Sequence, residues 1–359
     1  SGMEKSPLLK ALKFGDPSTS LGMTKTRNNY ILTFPIKHKM YKFRIIMLLY
    51  IYVIITKGGS EKMKFVSYLY NNNESYGILK EPDFIVPMSP ILDKMNKDIP
   101  INLLGFIQKY SDSILDEINN IINERDFKGI PLSEVKITAP IPNPRRNVFC
   151  LGKNYAEHVE ELGDEVDDNS NIPKSPIYFT KVADPAIGNK DKVIIPKDYT
   201  VKIDYEAELA VIICKDGKDI PPEAVEEYIF GYTIANDISA RDIQVKHSQW
   251  FKGKSLDTFT PMGPYLVDKT EIHFPVELDI SCKVNGELRQ SSNTKNLIFD
   301  LPNIISNLSK GLTLRAGDII LTGTPSGVGI GFKPHKYLKS GDKVVCYVEK
   351  LGHLENIIE

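Results

Sequence analysis

The residues after Arg146 alternate between short apolar segments and turns rich in glycine and proline, and this pattern limits the folds that the chain can adopt. We predict strands at Asn147–Leu151, Lys192–Ile195, Ala207–Ile213, Glu277–Val284, Asp318–Leu321 and Lys343–Val348. Helical segments are predicted between them at Tyr155–Leu162, Pro222–Phe230 and Leu297–Leu308. Many strands of uneven length with few helices favour a β-rich α+β domain over repeated βαβ units.

The first 62 residues differ in character from the rest. Ser1-Gly2 before Met3 is typical of a tag remnant, and an unbroken apolar run of eleven residues, Ile45–Ile55, follows a basic and polar segment. The run is shorter than the ~20 residues of a membrane-spanning helix, and no signal-peptide cleavage pattern follows it. We hypothesise that residues 3–62 are a non-native or disordered extension and that the protein starts at Met63. An insoluble or inactive protein beginning at Met63 would contradict this.

Residues 63–140 are predicted to form a small α/β domain. The segment 63–90 alternates apolar and polar residues around Asn and Gly turns, as a hairpin does, and Ile101–Arg125 carries apolar residues at helical spacing. The sequence APIPNPRR then supplies three prolines, which make a stiff connector. We therefore predict a boundary there, with a small domain at 63–140 and a larger one at 141–359.

Composition and charge exclude several classes of partner and site. The chain is 42% hydrophobic and 25% charged with a net charge of −1, so we predict neither a nucleic-acid nor a membrane partner. Its cysteines are far apart in sequence and form no CxxC pair, which argues against a disulfide framework or a zinc site. Buried thiols in a reducing compartment are expected, and the predicted location is cytoplasmic.

The segment IDYEAELAVII, Ile203–Ile213, combines a strand pattern with acidic residues. Alternation along one strand places Asp204, Glu206 and Glu208 on the same face, where like charges repel one another. An exposed face with solvated acids is the simpler reading, but the flanking residues are apolar on both faces. A further acid, Asp237, follows a second apolar stretch. We therefore predict that Mg²⁺ or Mn²⁺ offsets the repulsion, and that Asp204 is a solvated or neighbouring acid rather than a ligand.

The segment NYAEHVEE after the first predicted strand contains a candidate acid–base pair. His158 and Glu161 are three residues apart and lie on one face of a helix. A carboxylate beside an imidazole fixes its tautomer and raises its basicity, which suits general acid–base catalysis. The alternative is a surface ion pair on an acidic helix, and the motif alone favours that alternative.

Four further polar side chains and one loop are candidates for binding carboxylate or enolate oxygens. The side chains are Lys181, Arg241, Gln244 and Lys254, each of which taken singly is more often a surface residue. The loop Gly323–Gly329 lacks the GK[ST] of a phosphate-binding loop. It suits a carboxylate better, bound through backbone N–H groups such as that of Gly323 and through the Thr324 hydroxyl.

Seven segments between Asn147 and Glu349 resemble, in order, the fumarylacetoacetate hydrolase family. They are LGKNYAEHVEE, PIYFTKVADPAIG, DYEAELAVII, GYTIANDISARDIQ, WFKGKSLDTFTPMGP, VNGELRQ and GDIILTGTPSGVG. The resemblance implies a mixed β-sandwich roll that is commonly a homodimer. The additional residues 63–140 are similar in arrangement to those of longer members, including bacterial enzymes that decarboxylate oxaloacetate.

The resemblance also assigns roles to the candidate residues. It implies that Glu206, Glu208 and Asp237 are ligands of Mg²⁺ or Mn²⁺. It makes His158 and Glu161 a catalytic dyad on a mobile lid, with Gly163–Lys174 as its polar, acidic continuation. The groups that hold a 2-oxo acid and its enolate would be Lys181, Arg241, Gln244, Lys254 and Thr324.

Four functions remain open at this point. The first two cleave at C3 of a 2-oxo acid through a metal-stabilised enolate, either as an acylpyruvate or fumarylacetoacetate-type C–C hydrolase or as an oxaloacetate decarboxylase. The third is a 2-hydroxyhepta-2,4-diene-1,7-dioate-type isomerase. The fourth is a metal-dependent organic-acid binding protein without activity, against which the presence of both His158 and Glu161 argues.

Overall fold

The structure is a computed structural model that describes residues 22–25, 30–33, 63–80, 82–110, 114–124, 127–163 and 171–359. The chain divides into two compact units between residues 60 and 61. In the first unit, β1 (Gly22–Lys25) and β2 (Tyr30–Thr33) form an antiparallel hairpin. The apolar run Ile45–Ile55 and the lid residues 164–170 lie outside the described residues, so the predictions made for them stay predictions.

The second unit is built mainly of strands. They are β3 (Lys64–Tyr70), β4 (Asn73–Lys80), β5 (Phe84–Pro87), β6 (Ile130–Pro131), β7 (Lys136–Ile137), β8 (Val148–Gly152), β9 (Ile177–Lys181), β10 (Lys192–Val193), β11 (Ile203–Asp204), β12 (Ala207–Ile213), β13 (Ile229–Asn236), β14 (Ser239–Ala240), β15 (Met262–Asp268), β16 (Asp279–Val284), β17 (Glu287–Asn293), β18 (Ile319–Leu321), β19 (Lys343–Val348) and β20 (Gly352–Ile358).

The helices of this unit are short. The α-helices are α1 (Met88–Lys94), α2 (Leu103–Lys109), α3 (Leu115–Glu124), α4 (Ala156–Leu162), α5 (Arg241–Lys246), α6 (Phe251–Lys254) and α7 (Leu301–Ser309). Single 3₁₀ segments cover Leu132–Glu134, Pro222–Tyr228, Lys269–Glu271, Thr294–Asn296 and Gly329–Gly331. Within the described part of the chain, none of these helices is both long and apolar enough to cross a bilayer.

Two large sheets pack on each other, which confirms the predicted β-rich α+β sandwich. The larger sheet runs β6-β5-β4-β3-β15-β13-β12-β18-β8-β9, with β7 beside β3, and the smaller runs β10-β20-β19-β16-β17. Most pairs are antiparallel, but β8 pairs with β18 and β10 with β20 in parallel, so both sheets are mixed. Sandwich packing of this kind buries the facing side chains of both sheets in one core.

Strand β12 lies at the centre and is buried on both faces, as its sequence predicts. Leu209 and Val211 point into the core shared with the smaller sheet, together with Ile280 of β16. Ala210 and Ile212 point the other way, into the core that contains the helices of residues 88–124. A strand that is covered on both faces has a continuous apolar sequence. Because β12 is covered in this way, Glu206 and Glu208 at its beginning are also buried.

Residues 63–140 contribute strands to the larger sheet. The link is β3, which pairs with β15 through Phe65 opposite Leu266. The ring of Phe65 also lies 5.4 Å from that of Phe230 on β13 and 5.7 Å from that of Phe106 on α2. Sheet and aromatic core therefore continue across the proline-rich segment, and the division into domains near residue 140 stays a prediction.

Several element boundaries differ from those predicted. Ile203–Ile213 is two strands, β11 and β12, interrupted at Tyr205-Glu206, because β11 pairs with β14 while β12 pairs with β13. The segment from Pro222 is a 3₁₀ helix that ends at Tyr228, since Ile229 already pairs with Ile213 of β12. Helix α7 begins only at Leu301, where the Asp300 side chain accepts the N–H of Asn303 (2.9 Å). Tertiary pairing overrides local preference in the two strand regions.

All four cysteines are free and buried, as predicted. Cys282 and Cys346 are cross-strand neighbours on β16 and β19 with their sulfur atoms 4.0 Å apart. Burial and the neighbouring thiol raise the pKa of Cys282 well above its usual value. These thiols therefore act as packing groups in the sandwich core.

Candidate active site

Three carboxylates converge where β12 begins and β13 ends. The two strands are antiparallel, with Ala207 opposite Asn236, so Glu206 and Glu208 come to lie beside Asp237. One carboxylate oxygen from each of the three residues lies within 4.8 Å of the other two. All three side chains are buried, so the alternative of an exposed, solvated strand face does not apply. Such a cluster offers the oxygen ligands that Mg²⁺ and Mn²⁺ prefer.

Two lysines bind this acidic cluster. The Lys254 ammonium lies 2.7 Å from Glu206 Oε2 and 2.8 Å from Asp237 Oδ2. Lys181 pairs with the other oxygen of Asp237 and also donates to the carbonyls of Ile238 (3.2 Å) and Phe259 (2.7 Å). Although burial opposes its charge, the carboxylates of Asp237 and Glu206 raise the pKa of Lys254. Lys254 is therefore a buried, protonated cation at the edge of the cluster.

The charges are distributed unevenly over the cluster. Burial alone would raise the pKa of Glu206, but Lys254, Arg241 and His158 lower it to about 2. Burial, Asp237 and Glu206 raise the pKa of Glu208 well above its usual value. Glu208 accepts the N–H of Gly323 at 2.7 Å and forms no ion pair with the residues that the structure describes. The cluster is thus short of positive charge at Glu208, and a divalent cation fits this deficit.

Asp204 was predicted to be a solvated or a neighbouring acid rather than a ligand, and the structure agrees with the second alternative. Asp204 is fully buried and accepts hydrogen bonds from Arg241 Nε (2.9 Å) and from the backbone N–H groups of Tyr205, Gly329 and Ile330 (2.9, 2.6 and 3.0 Å). The solvated alternative does not apply, because the strand breaks after Asp204 and this carboxylate binds the backbone of the loop at 329–330. Asp204 therefore fixes both Arg241 and that loop.

Replacing Asp204 with alanine is expected to destabilise the protein strongly. The change leaves Arg241 buried without its partner, and breaking a buried pair in this way costs about 3–5 kcal/mol. Denaturant unfolding monitored by circular dichroism measures the loss. Asp216→Ala, which removes a half-exposed partner of Arg315, is the matched control and should cost about 1 kcal/mol or less. Equal losses in the two variants would contradict the role given to Asp204.

The predicted dyad lies on α4 and is held from both sides. His158 Nδ1 is 3.3 Å from Glu161 Oε2, and the two side chains are 5% and 15% exposed. The other oxygen of Glu161 accepts the N–H of Gly327 at 2.8 Å. Gly331 packs directly on the Glu161 carboxylate, and a Cβ at this position would overlap it. The pair is thus enclosed rather than a surface ion pair, and Nε2 is the imidazole nitrogen left for the cavity.

One cavity collects most of the predicted groups. The predicted residues that line it are His158, Glu206, Arg241, Gln244, Lys254 and Thr324. Its other walls are formed by Leu151, Gly152, Lys153, Leu162, Phe179 and Trp250. Acidic, basic and aromatic groups therefore face one small space beside the carboxylate cluster, which is the usual composition of a small-molecule site.

Two residues predicted to bind substrate hydrogen-bond instead to acids of the cluster. All three donors of Lys181 are used within the protein, on Asp237 and two carbonyl groups. The N–H of Gly323 goes to Glu208. Neither residue lines the cavity, so their observed contacts orient acids of the cluster, and direct contact with substrate stays a prediction for both.

Arg241 lies between Asp204 and Glu206 of the carboxylate cluster. It donates through Nε to Asp204 and through Nη1 to Gln244 Oε1 at 3.1 Å. Its Nη2 lies 2.7 Å from Glu206 Oε1 as an ion pair but without hydrogen-bond alignment, so that nitrogen has no hydrogen-bond partner. A buried donor of this kind beside the cavity suits a substrate carboxylate.

Lys153 is a cavity residue that the sequence reasoning did not identify. It follows β8, is 4% exposed and adopts a left-handed conformation with φ of 55°. Non-glycine residues in that conformation are uncommon and often occur at functional sites. The only available signal was its place between a predicted strand and the His158 helix. Trp250 packs edge-on against Phe179, with 5.3 Å between the ring centres, and also lines the cavity.

Comparison with known proteins bears on the same part of the chain. The sequence profile "Fumarylacetoacetate (FAA) hydrolase C-terminal" matches residues 147–359. The chain is 52% identical over 227 residues to oxaloacetate tautomerase YisK of Bacillus subtilis (strain 168), a match that covers 63% of this chain and 74% of that protein. The residues matched by the profile include the carboxylate cluster, the dyad and the cavity.

Solved structures show the same fold over a larger share of the chain. The fumarylacetoacetate hydrolase of Exiguobacterium antarcticum superposes with a TM-score of 0.68 and 35% identity, over 83% of this chain and 99% of that one. Maleylpyruvate hydrolase from Sphingobium sp. SYK-6, in complex with manganese(II) and pyruvate, gives a TM-score of 0.65 and 25% identity, over 82% and 98%. Both likenesses extend beyond the residues matched by the profile.

Proposed function

The chain belongs to the fumarylacetoacetate hydrolase family, and from that premise we propose that it is a divalent-metal-dependent enzyme that interconverts the keto and enol forms of oxaloacetate. The observation that carries the proposal is the buried cluster of Glu206, Glu208 and Asp237 beside the enclosed His158–Glu161 pair. The 52% identity to a protein named oxaloacetate tautomerase supports this choice of reaction. In this tautomerisation the group that leaves C3 is a proton, whereas it is carbon dioxide in a decarboxylation and an acyl group in a hydrolysis.

The proposed cofactor is Mg²⁺ or Mn²⁺, held by the three carboxylates. When bound, such an ion stabilises the negative charge of an enolate as a Lewis acid. The convergence of three buried carboxylates supports this assignment, as does the manganese in the structure of maleylpyruvate hydrolase. Titration of the protein with Mg²⁺ and with Mn²⁺ compares its affinity for the two ions.

The residues of the chain supply the proton transfer. His158 Nε2 takes a proton from C3, the C–H electron pair forms the C2–C3 double bond, and the C2 oxygen becomes negative. A proton delivered to that oxygen completes the enol, and the reverse steps regenerate the keto form. Glu161 keeps Nδ1 protonated and the ring oriented, since its own carboxylate is fixed by Gly327.

The cations of the cavity bind and orient the substrate. The Lys254 ammonium lies at the edge of the carboxylate cluster, where it adds positive charge near the developing enolate. Arg241 and Gln244 face the same space and suit the carboxylate groups of a dicarboxylic 2-oxo acid. Leu162, Phe179 and Trp250 limit the access of water to this space.

Hydrolysis of an acylpyruvate is the second candidate function. The same imidazole that accepts a C3 proton can activate water for attack on an acyl group. The structural likeness to a maleylpyruvate hydrolase favours this alternative specifically. Decarboxylation and dienedioate isomerisation use the same enolate and remain open within the proposal. A homodimer, a cytoplasmic location and the lack of a nucleic-acid partner stay predictions.

The test follows the enol absorbance of oxaloacetate with Mn²⁺-loaded protein. We expect the approach to keto–enol equilibrium to accelerate without loss of oxaloacetate, and to slow to the uncatalysed rate after chelation. Pyruvate and carbon dioxide in step with turnover would instead identify a decarboxylase, and cleavage of acylpyruvates a hydrolase. Metal-loaded protein that accelerates none of these reactions would overturn the proposal.

A further inference from the structure

Gln290 is a fully buried amide that has no part in the proposed mechanism. It ends the segment VNGELRQ and lies on β17, the terminal strand of the smaller sheet. Its side chain nevertheless reaches the larger sheet, where Oε1 accepts the backbone N–H of Ala207 at 3.0 Å. Ala207 stands between Glu206 and Glu208, so this bond holds the backbone that carries two of the three proposed metal ligands.

The backbone of Ala207 lies beyond the region in which β12 pairs with β18. That pairing covers Ala210–Ile212. At Ala207, two side chains bind the backbone instead: Gln290 accepts the N–H, and Thr324 Oγ1 donates to the carbonyl at 2.9 Å. A buried backbone group without a partner destabilises the folded state. The two side chains therefore allow β12 to begin at a buried position where the neighbouring strand has ended.

The same amide also binds the loop that follows β18. Gln290 Nε2 donates to Thr324 Oγ1 and to the carbonyl of Pro325, both at 2.8 Å. The contacts among Ala207, Gln290 and Thr324 thus form a closed ring of hydrogen bonds. Because an amide nitrogen can only donate, Thr324 must accept from it and direct its single hydroxyl proton to Ala207. Gln290 therefore fixes both the strand and Thr324, which lines the cavity.

The loop packs directly on β17 a few residues further along. A Cβ on Gly327 would lie 1.9 Å from the carbonyl oxygen of Arg289 and 3.1 Å from Cα of Gln290, and Gly327 has a φ of 101°. Only glycine suits this position. The N–H of Gly327 in turn binds Glu161 of the dyad at 2.8 Å. Strand β17 therefore supports the loop that orients the dyad as well as the strand that carries the glutamates.

We propose that Gln290 is a positioning residue of the active site, which fixes Glu206 and Glu208 for a divalent cation by holding the backbone of Ala207 between them. It acts through hydrogen bonds to that backbone and to Thr324, without contacting the ion. Ligands that are held in place beforehand lose less conformational freedom when the ion binds, which strengthens binding. The inference rests on the proposed function, since it requires that the carboxylate cluster bind a metal ion.

The test measures the Mn²⁺ affinity of the full chain with the substitution Gln290→Met by isothermal titration calorimetry. Methionine has a similar length, but it cannot form the hydrogen bonds of the amide to Ala207, Thr324 and Pro325. We expect Mn²⁺ to bind about 10-fold more weakly, the lower end of the range for groups that orient metal ligands. Unaltered affinity in the folded variant would overturn the inference.

Asn356→Leu is the matched control for a general loss of stability. Asn356 is a similarly buried amide on β20 of the same sheet, and its Nδ2 also donates to two carbonyl groups, those of Gly188 (3.0 Å) and Asp191 (2.9 Å). It does not line the cavity. We expect both variants to melt at a lower temperature, but only Gln290→Met to bind Mn²⁺ more weakly. An equal loss of affinity in the two variants would leave Gln290 with a structural role alone.

Thr324→Val opens the same ring at another point, and valine keeps the shape of threonine without its hydroxyl. This variant alone decides between the outcomes if Gln290→Met does not fold. We expect it to bind Mn²⁺ about 10-fold more weakly, and the double variant to be no weaker than about 10-fold, because the two residues act in one network. Unaltered affinity in Thr324→Val, or an additive loss of about 100-fold in the double variant, contradicts the inference. Failure of the unaltered protein to bind Mn²⁺ would overturn the proposed function itself, so the two failures are distinguishable.

Discussion

Replacing Glu208 with glutamine is expected to abolish tight Mn²⁺ binding and to lower metal-dependent turnover by at least about 10²–10³, the usual loss for a group that stabilises developing charge. The metal-free protein should nevertheless be at least as stable as the original. Glu208 forms no ion pair with the described residues, and its carboxylate is repelled by Asp237 and Glu206. An amide oxygen can still accept the N–H of Gly323.

Calorimetric Mn²⁺ titration, steady-state kinetics and thermal unfolding without metal check the three parts of this prediction. We expect the metal-free melting temperature to stay the same or to rise, since the substitution removes repulsion by Asp237 and Glu206 and breaks no ion pair of the described residues. Glu160→Gln on the exposed face of α4 is the matched control and should change none of the three. Unaltered activity of Glu208→Gln after chelation would remove the basis of the metal assignment.

The same substitution at Glu206 should behave differently. Glu206 forms ion pairs with Lys254 and Arg241. Glu206→Gln therefore removes a negative charge that balances two buried cations. We therefore expect this variant to lose metal binding and stability together. The contrast between two glutamates only two residues apart follows from their partners and is invisible in the sequence.

Replacing His158 with alanine is expected to lower kcat by about 10²–10⁴, the usual contribution of general acid–base catalysis, with Mn²⁺ still bound. His158 lines the cavity and is not one of the three proposed metal ligands. Its loss therefore removes the proton acceptor and leaves those ligands in place. Without His158, no oriented imidazole nitrogen would be available to accept the proton from C3 of the substrate.

Enol–keto kinetics with oxaloacetate measure the loss, and calorimetry confirms that Mn²⁺ remains bound. His273→Ala removes an exposed imidazole remote in sequence and should leave kcat unaltered. If His158→Ala turned over at the original rate, the dyad would have only a structural role. If it lost Mn²⁺ as well, the separation of metal binding from proton transfer would be wrong.

The sequence determined the elements that depend on local pattern. A continuous apolar run predicted that β12 is buried on both faces, and the apolar stretch before Asp237 predicted a strand that ends there. Glu206, Glu208 and Asp237 could be grouped because acids at the ends of apolar strands are unusual. The helical spacing of His158 and Glu161 likewise predicted their contact, which is local to one helix turn.

The tertiary structure decided which partner each polar group takes. Asp204 binds Arg241 instead of water, and Lys181 forms an ion pair with Asp237. Both contacts depend on which strands pair and on where each strand ends. These contacts join residues 37 and 56 positions apart, and that of Gly323 with Glu208 spans 115. Local pattern carries no record of such distant pairings, because sheet register and loop packing set them only when the whole unit folds.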